Sequence, residues 1–139
     1  MKKILLGIST IIIIVTVFSS CQSVSGAQTF AEKFYEAMKI NDYSSATALF
    51  DQQMLEQYGE EELIKILNQR NNSWGKIYSF SKYGFNTSTK NGITNVSLKF
   101  KVESEKGMVY EKIEFIKRGE QYKITGYFFN PDKEKIEKM

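Results

Sequence analysis

The chain has 139 residues, enough for one ordinary domain with a single hydrophobic core. Its 19 lysines and arginines and 16 acidic residues are mixed along the chain, so no sustained basic block predicts nucleic-acid binding. The absence of histidine and the single cysteine exclude Ser–His–Asp and Cys–His catalysis within this chain and leave no usual set of zinc ligands. Eight tyrosines and ten phenylalanines are too many for a disordered chain, so we expect a folded domain without metal or cofactor.

The N-terminal residues have the layout of an export signal. Lys2 and Lys3 precede an apolar run from Ile4 to Phe18, and two serines then lead to Cys21. The run is about fifteen residues long, short of the roughly twenty needed to cross a bilayer core. The pattern predicts a signal peptide over residues 1–20, with a plain secretion signal and a retained anchor helix as the alternatives.

The end of this segment resembles the lipobox of bacterial lipoproteins, in which a cysteine receives a diacylglycerol and becomes the first residue after cleavage. Ser19, Ser20 and Cys21 fit that pattern, whereas Phe18 stands where a leucine is usual. The resemblance implies lipidation of Cys21 and a membrane anchor on the extracytoplasmic side of a bacterial membrane. Because Gln22 follows the cysteine, the resemblance implies the outer membrane if the cell has two membranes. Lipidation would also explain a single cysteine in an oxidising compartment.

Helical patterns follow the predicted lipid site. Residues 22–27 are small and polar without periodicity, so with Cys21 they predict a short flexible tether. Residues 28–40 carry apolar side chains at helical spacing, and Asp42 is placed to cap a second helix. Glu60–Glu62 open a third helix, with Arg70 near its far end, as the helix dipole favours. We therefore assign the three glutamates to helix-end electrostatics rather than to a metal site.

After Gly75 the sequence pattern changes from helix to strand. Short turns join the predicted strands, including the hairpin signal of Asn91 and Gly92, so we expect an antiparallel meander. Pro131 ends the last strand, and residues 132–139 predict a frayed, charged tail. The predicted strands cover residues 76–87, 95–103, 109–115 and 122–129.

Helices followed by a four-stranded antiparallel sheet predict an α+β fold with the helices on one sheet face. Residues 41–46 look like the helix corner of small exported proteins of the nuclear transport factor 2-like (NTF2-like, or cystatin-like) superfamily, and residues 121–126 resemble the ending of its final strand. The resemblance covers roughly residues 30–129. It implies a curved sheet wrapped around a long first helix, with a conical pocket between them. We place this domain at residues 28–131.

The superfamily includes isomerases and dehydratases that use a pocket carboxylate as base and a tyrosine to hydrogen-bond an enolate, besides many members without catalysis. Tyr35 on the first helix and Glu111 on the third strand are the candidates for such a pair. Strand alternation places Glu111 on the apolar face with Val109 and Ile113, which is unfavourable for a carboxylate unless it is paired or functional. The alternatives are that a bulge or the sheet edge exposes Glu111 to water and that Tyr35 lies at a pocket rim. We assign neither residue a catalytic role.

Aromatic residues mark both faces of the predicted sheet. In the last strand, alternation places Phe128 with Tyr122 and Ile124, and Tyr127 and Phe129 on the opposite face. One face could therefore bind an envelope protein or a second copy of the chain, with ordinary cross-strand packing as the alternative. The leading hypothesis is a non-enzymatic, membrane-anchored lipoprotein that binds a protein partner or an apolar ligand. The alternatives are a small lyase or isomerase using a pocket carboxylate and a purely structural envelope protein.

Overall fold

The structure is a computed structural model that describes residues 22–139. The predicted signal peptide and the predicted lipid site at Cys21 lie outside the described residues. Within residues 22–139, no helix combines the length and the hydropathy needed to cross a membrane.

Four helices precede the sheet. Residues 22–39 are helical and form α1, and three further helices follow before Gly75. Asn41 turns the chain after α1 with a φ of 56°, and the Asp42 side chain accepts a hydrogen bond from the Ser45 N–H at 3.2 Å, confirming the predicted cap. The three later helices are α2 (Tyr43–Thr47), α3 (Gln52–Tyr58) and α4 (Glu60–Trp74).

The four strands form one antiparallel sheet in the order β1-β2-β3-β4, and a short helix, α5 (Lys133–Glu137), ends the chain. Asn91 and Gly92 have φ values of 52° and 76°, as the predicted tight hairpin between β1 and β2 requires. The predicted α+β class and its four-stranded antiparallel sheet are therefore confirmed. The strands are β1 (Ile77–Lys90), β2 (Ile93–Ser104), β3 (Gly107–Arg118) and β4 (Gln121–Asn130).

The core lies between α1 and one face of the sheet, which we call the inner face. Alternate residues of β2 and β3 are buried there, among them Leu98, Phe100 and Ile113. From α1, Phe34 and Met38 pack against this face, and burying such side chains contributes about 1.5–3 kcal/mol each. The layout matches the curved sheet around a first helix that the resemblance implies.

The predicted tether at residues 22–27 is wrong in its secondary structure. These residues continue α1, and Val24 and Ala27 are buried in the core. Their spacing extends the apolar stripe that includes Ala31 and Phe34. Small side chains between serines concealed this stripe, because their composition is also typical of a linker.

The predicted alternation in β4 is wrong beyond Ile124. Phe115 pairs with Ile124, but Glu114 pairs with Gly126, so Thr125 is an extra residue in β4. Such a bulge reverses which side chains face inward. Tyr127 therefore lies on the inner face, where it packs against the core. Phe129 shares that face, because it lies opposite Glu111 in the register.

The charged tail is ordered rather than frayed. Asp132 caps α5 by accepting a hydrogen bond from the Glu134 N–H at 3.0 Å, and Ile136 is fully buried. Lys99 Nζ lies 2.9 Å from Glu137 Oε2, which ties α5 to the outer face of the sheet. The C-terminal tail therefore covers part of the outer face of the sheet, which the helices α1 to α4 leave open.

Candidate functional site

A buried ion pair lies between α4 and the inner face of the sheet. Arg70 Nε is 3.1 Å from Glu111 Oε1, and both side chains have 0% exposure. Arg70 also donates to Ser104 Oγ at 2.8 Å and to the Gly75 carbonyl at 3.4 Å. Because neither charge reaches water, each depends on the other for compensation.

Two tyrosines adjoin this pair. The Tyr127 hydroxyl donates a short hydrogen bond to Glu111 Oε1, the same oxygen that faces Arg70. The Tyr35 ring is fully buried and stacks on Phe80 with 4.5 Å between ring centroids. Among the described residues, the Tyr35 hydroxyl and Glu111 Oε2 have no partner at ordinary hydrogen-bond geometry, but the two side chains are close enough for a weak hydrogen bond to shift the pKa of both. The cluster thus combines the Arg70–Glu111 ion pair with a donor and an acceptor that are not fully used.

Burial dominates the proton affinities of this cluster. It raises the pKa of Glu111, and the Arg70 charge and the Tyr127 hydrogen bond limit that rise. Burial, and then the Glu111 charge, raise the pKa of Tyr35 and of Tyr127 well above the ordinary tyrosine value. Both tyrosines therefore remain protonated at neutral pH, and each hydroxyl has a proton to donate.

The structure brings together the two residues singled out from the sequence. Tyr35 and Glu111 belong to one cluster, and the charge of Glu111 acts directly on Tyr35. Both alternatives raised for them are wrong, because Glu111 does not reach water and Tyr35 is not at a rim.

Sequence reasoning missed Arg70 and Tyr127. Arg70 was assigned to the helix end, yet it follows Leu63 and Leu67 on one face of α4, and all three are buried. That spacing was the available signal for a buried arginine. Tyr127 was placed on the opposite face because the bulge at Thr125 leaves no mark on the period-two pattern.

An apolar cleft of about 250 Å³ lies beside the cluster, between β4 and helices α3 and α4. Tyr127 lines it, so this residue contacts both the cleft and Glu111. Tyr58 also lines the cleft and is about half exposed. A Cβ at Gly126 would lie 3.0 Å from the ring of Phe128, which also lines the cleft, so a larger residue there would shift that ring. Other lining residues are Phe50, Met54, Ile66 and Leu67.

Other features of the described chain offer less to a ligand. A larger depression of about 510 Å³ on the outer face is lined mainly by polar residues such as Asn95, Ser97 and Lys99. Residues 22–139 contain no group of three or more acidic or cysteine side chains placed to hold a metal ion. The cleft beside Tyr127 is therefore the strongest candidate for binding an apolar molecule.

Comparison with solved structures identifies the fold. A protein of the NTF2-like family from Streptomyces avermitilis, provisionally described as a dehydratase, has a TM-score of 0.58 at 15% identity, over 81% of this chain and 98% of that one. A protein with a cystatin-like fold from Nostoc punctiforme has a TM-score of 0.57 at 10% identity, over 77% and 90%. A protein from Catenulispora acidiphila has a TM-score of 0.58 at 7% identity, over 86% and 99%. These identities show the fold alone, and it is the fold that the sequence resemblance implies.

Comparison with curated proteins found no match. The family described as "Protein of unknown function (DUF3887)" matches residues 31–109, which is more than half of the chain. The matched span contains Tyr35 and Arg70 and ends just before Glu111. The chain therefore belongs to the DUF3887 family, and its domain has the NTF2-like, cystatin-like fold.

Proposed function

We propose that this protein is a lipoprotein, anchored on the extracytoplasmic side of a bacterial membrane, whose domain binds a small apolar ligand without converting it. The observation that carries the binding role is the apolar cleft beside Tyr127. Ligand sites are typically concave and mostly apolar, with a few polar groups that orient the ligand. At about 250 Å³ the cleft is slightly smaller than the ~300 Å³ lower end of that range. Its ligand should therefore be a short aliphatic or single-ring molecule.

The state of Glu111 favours binding over catalysis. A general base must come within hydrogen-bond reach of the proton that it removes. Here one carboxylate oxygen already holds Arg70 and Tyr127, and the side chain has 0% exposure. The polar residues that line the cleft are Tyr58, Thr125 and Tyr127.

The proposed anchor is supported by the residues before the domain, where an apolar run and two serines precede Cys21. Acyl chains supply about 0.8 kcal/mol of membrane affinity per buried CH₂, so a cysteine bearing several chains needs no protein span. Mass spectrometry of the protein from its own cells tests this directly. An acylated N-terminal Cys21 is expected, and an intact leader or a free thiol would contradict the anchor.

Binding can be tested with 4-fluorotoluene, a neutral single-ring probe whose binding is followed by fluorine nuclear magnetic resonance. Ile66→Arg places a charge in the cleft, whereas Ile93→Arg makes the same change at a side chain 46% exposed outside it. Burying an unpaired charge costs more than the ~1.4 kcal/mol that corresponds to tenfold in affinity. We therefore expect Ile66→Arg to weaken probe binding at least about tenfold and Ile93→Arg to leave it unchanged. Equal affinities in two folded variants would contradict binding in the cleft.

A second candidate function is that of a small lyase or isomerase. The observation in its favour is the cluster itself, in which burial raises the pKa of Glu111 and the buried Tyr35 hydroxyl lies beside that carboxylate. Such groups could transfer a proton and stabilise an enolate if a ligand displaced Tyr127. An enolisable ketone panel turned over equally by wild type and Glu111→Gln would count against this role.

A further inference from the structure

Two hairpin turns lie together at one end of the sheet. The turn between β1 and β2 covers residues 90–93, and the turn between β3 and β4 covers residues 118–121. Strand register brings them side by side, because Asn95 pairs with Ile116 and Lys117 pairs with Tyr122. We call these two turns and the strand residues next to them the hairpin end.

Helix α1 starts its course across the sheet at this end. A Cβ at Gly26 would lie 2.5 Å from the Tyr122 ring, and the Phe30 ring centroid is 6.0 Å from that of Tyr122. The other end of α1 lies near the end of α4, where the Asn71 amide donates to the Met38 carbonyl at 2.9 Å. Residue 22 is one helical turn before Gly26, a rise of about 6 Å. Residue 22, which follows the predicted lipid site in the sequence, therefore lies beside the hairpin end.

No irregular segment separates residue 22 from the domain. Residues 22–27 are helical, and Val24 and Ala27 are packed into the core. A flexible tether of that length would reach roughly 20 Å and allow many orientations. A helix packed on the sheet instead holds residue 22 in a fixed position relative to the two turns.

The charges of the hairpin end suit an anionic surface. Lys90 and Lys117 are exposed there, and Lys123 is half-buried and uses one of its three donors on the Ala48 carbonyl at 3.4 Å. Glu120 is the opposing acid. Arg118 is a further cation at this end, but it forms an ion pair with Asp51, with 3.2 Å between Arg118 Nε and Asp51 Oδ1. Ile93 adds a side chain that is 46% exposed beside the first turn. The opposite end has a smaller positive excess, with Lys76 and Lys106 against Glu105 near the β2–β3 turn.

We propose that the hairpin end lies directly on the bilayer and contacts anionic lipid headgroups, with Ile93 at the surface and Lys90, Lys117 and Lys123 facing the lipid phosphates. This inference rests on the proposed acylation of Cys21. It adds a fixed orientation, in which the sheet stands up from the membrane and the β2–β3 turn points away from it. Lysines near an anionic leaflet strengthen such a contact within about a Debye length of the surface.

Labels at the two ends of the sheet test this orientation in the acylated full-length protein. Ile93→Cys places a thiol at the hairpin end, and Lys106→Cys places the matched control at the β2–β3 turn. β2 joins the two positions and spans roughly 35 Å at about 3.3 Å per residue. Each variant carries a thiol-linked fluorophore in vesicles of phosphatidylglycerol and phosphatidylcholine that contain a lipid with a nitroxide headgroup. We expect the lipid to quench the label at position 93 and to leave the label at position 106 unquenched.

Mass spectrometry of the same samples separates the two possible failures. An acylated Cys21 with equal quenching at both positions would overturn the orientation and leave the anchor intact. A free thiol at Cys21 would overturn the proposed function and the orientation that rests on it. Lys90→Glu with Lys117→Glu should reduce quenching at position 93, whereas Lys76→Glu with Lys106→Glu should not. Equal effects of the two charge reversals would contradict the headgroup contact.

Discussion

Replacing Glu111 with glutamine tests how strongly the buried cluster holds the fold together. The substitution keeps the size of the side chain and an acceptor for Tyr127, but removes the negative charge 3.1 Å from Arg70. Both side chains have 0% exposure, so water cannot solvate the guanidinium that is left behind. Removing one partner of a buried ion pair costs about 3–5 kcal/mol. We expect that loss in the free energy of unfolding of Glu111→Gln.

A second substitution distinguishes the worth of the pair from the cost of one unpaired charge. Arg70→Met keeps much of the side-chain length on the buried face of α4, beside Leu67, and removes the positive charge. Replacing both charges of a buried pair is often nearly neutral. We therefore expect the double variant, which combines Glu111→Gln with Arg70→Met, to be more stable than Glu111→Gln alone by at least about 2 kcal/mol.

Urea unfolding followed by far-ultraviolet circular dichroism measures these differences. A shift of the midpoint at constant slope reports a change in stability alone. A loss below about 1 kcal/mol for Glu111→Gln would mean that water reaches Arg70, and it would refute the reasoning. A double variant no more stable than Glu111→Gln would show that the loss does not come from the unpaired charge of Arg70.

Three further outcomes test other contacts. Hydrogen bonds from Arg118 lower the pKa of Asp51, so the stability they supply is present above the ordinary carboxyl pKa and is lost as pH falls below about 4. Asp51→Asn should flatten that acid loss in urea titrations, and an unchanged pH profile would contradict it. Ile136→Ala should cost about 2–4 kcal/mol because the side chain is fully buried, whereas Ile40→Ala, at a side chain 74% exposed, should cost less than about 0.5 kcal/mol. Glu111→Gln should weaken the binding of 4-fluorotoluene because the Glu111 contacts hold α4 beside the cleft, whereas Ile136→Ala, which lowers stability by a similar amount, should leave that binding unchanged.

Local signals were sufficient to predict the fold class. The change from helical to alternating spacing after Gly75, the cap at Asp42 and the turn at Asn91 each depend on a few neighbouring residues. The two termini of the domain were harder to predict, because their order comes from tertiary contacts. Val24 and Ile136 are single apolar residues in polar surroundings, and only packing against the sheet shows that they belong to the core.

Two of the four residues in the buried cluster, Tyr35 and Glu111, were identified from the sequence, and Arg70 and Tyr127 were not. Tyr35 and Glu111 were singled out through the superfamily resemblance, and the uninterrupted alternation of β3 also placed Glu111 on the apolar face. Tyr127 lies beyond a bulge, and one extra residue reverses every later side chain. Arg70 was missed because a cation near a helix end already has a surface explanation in the helix dipole.

The cluster ties together the walls of the cleft beside it. Arg70 belongs to α4, Glu111 to β3 and Tyr127 to β4, so their hydrogen bonds hold α4 against the sheet at one position. Helix α4 and strand β4 are also two of the elements that line the cleft. A polar cluster of this kind need not stabilise the protein more than an apolar core would, since its desolvation cost is high. Its distinctive effect is to favour one placement of the helix over others, and a binding cleft between helix and sheet depends on that placement.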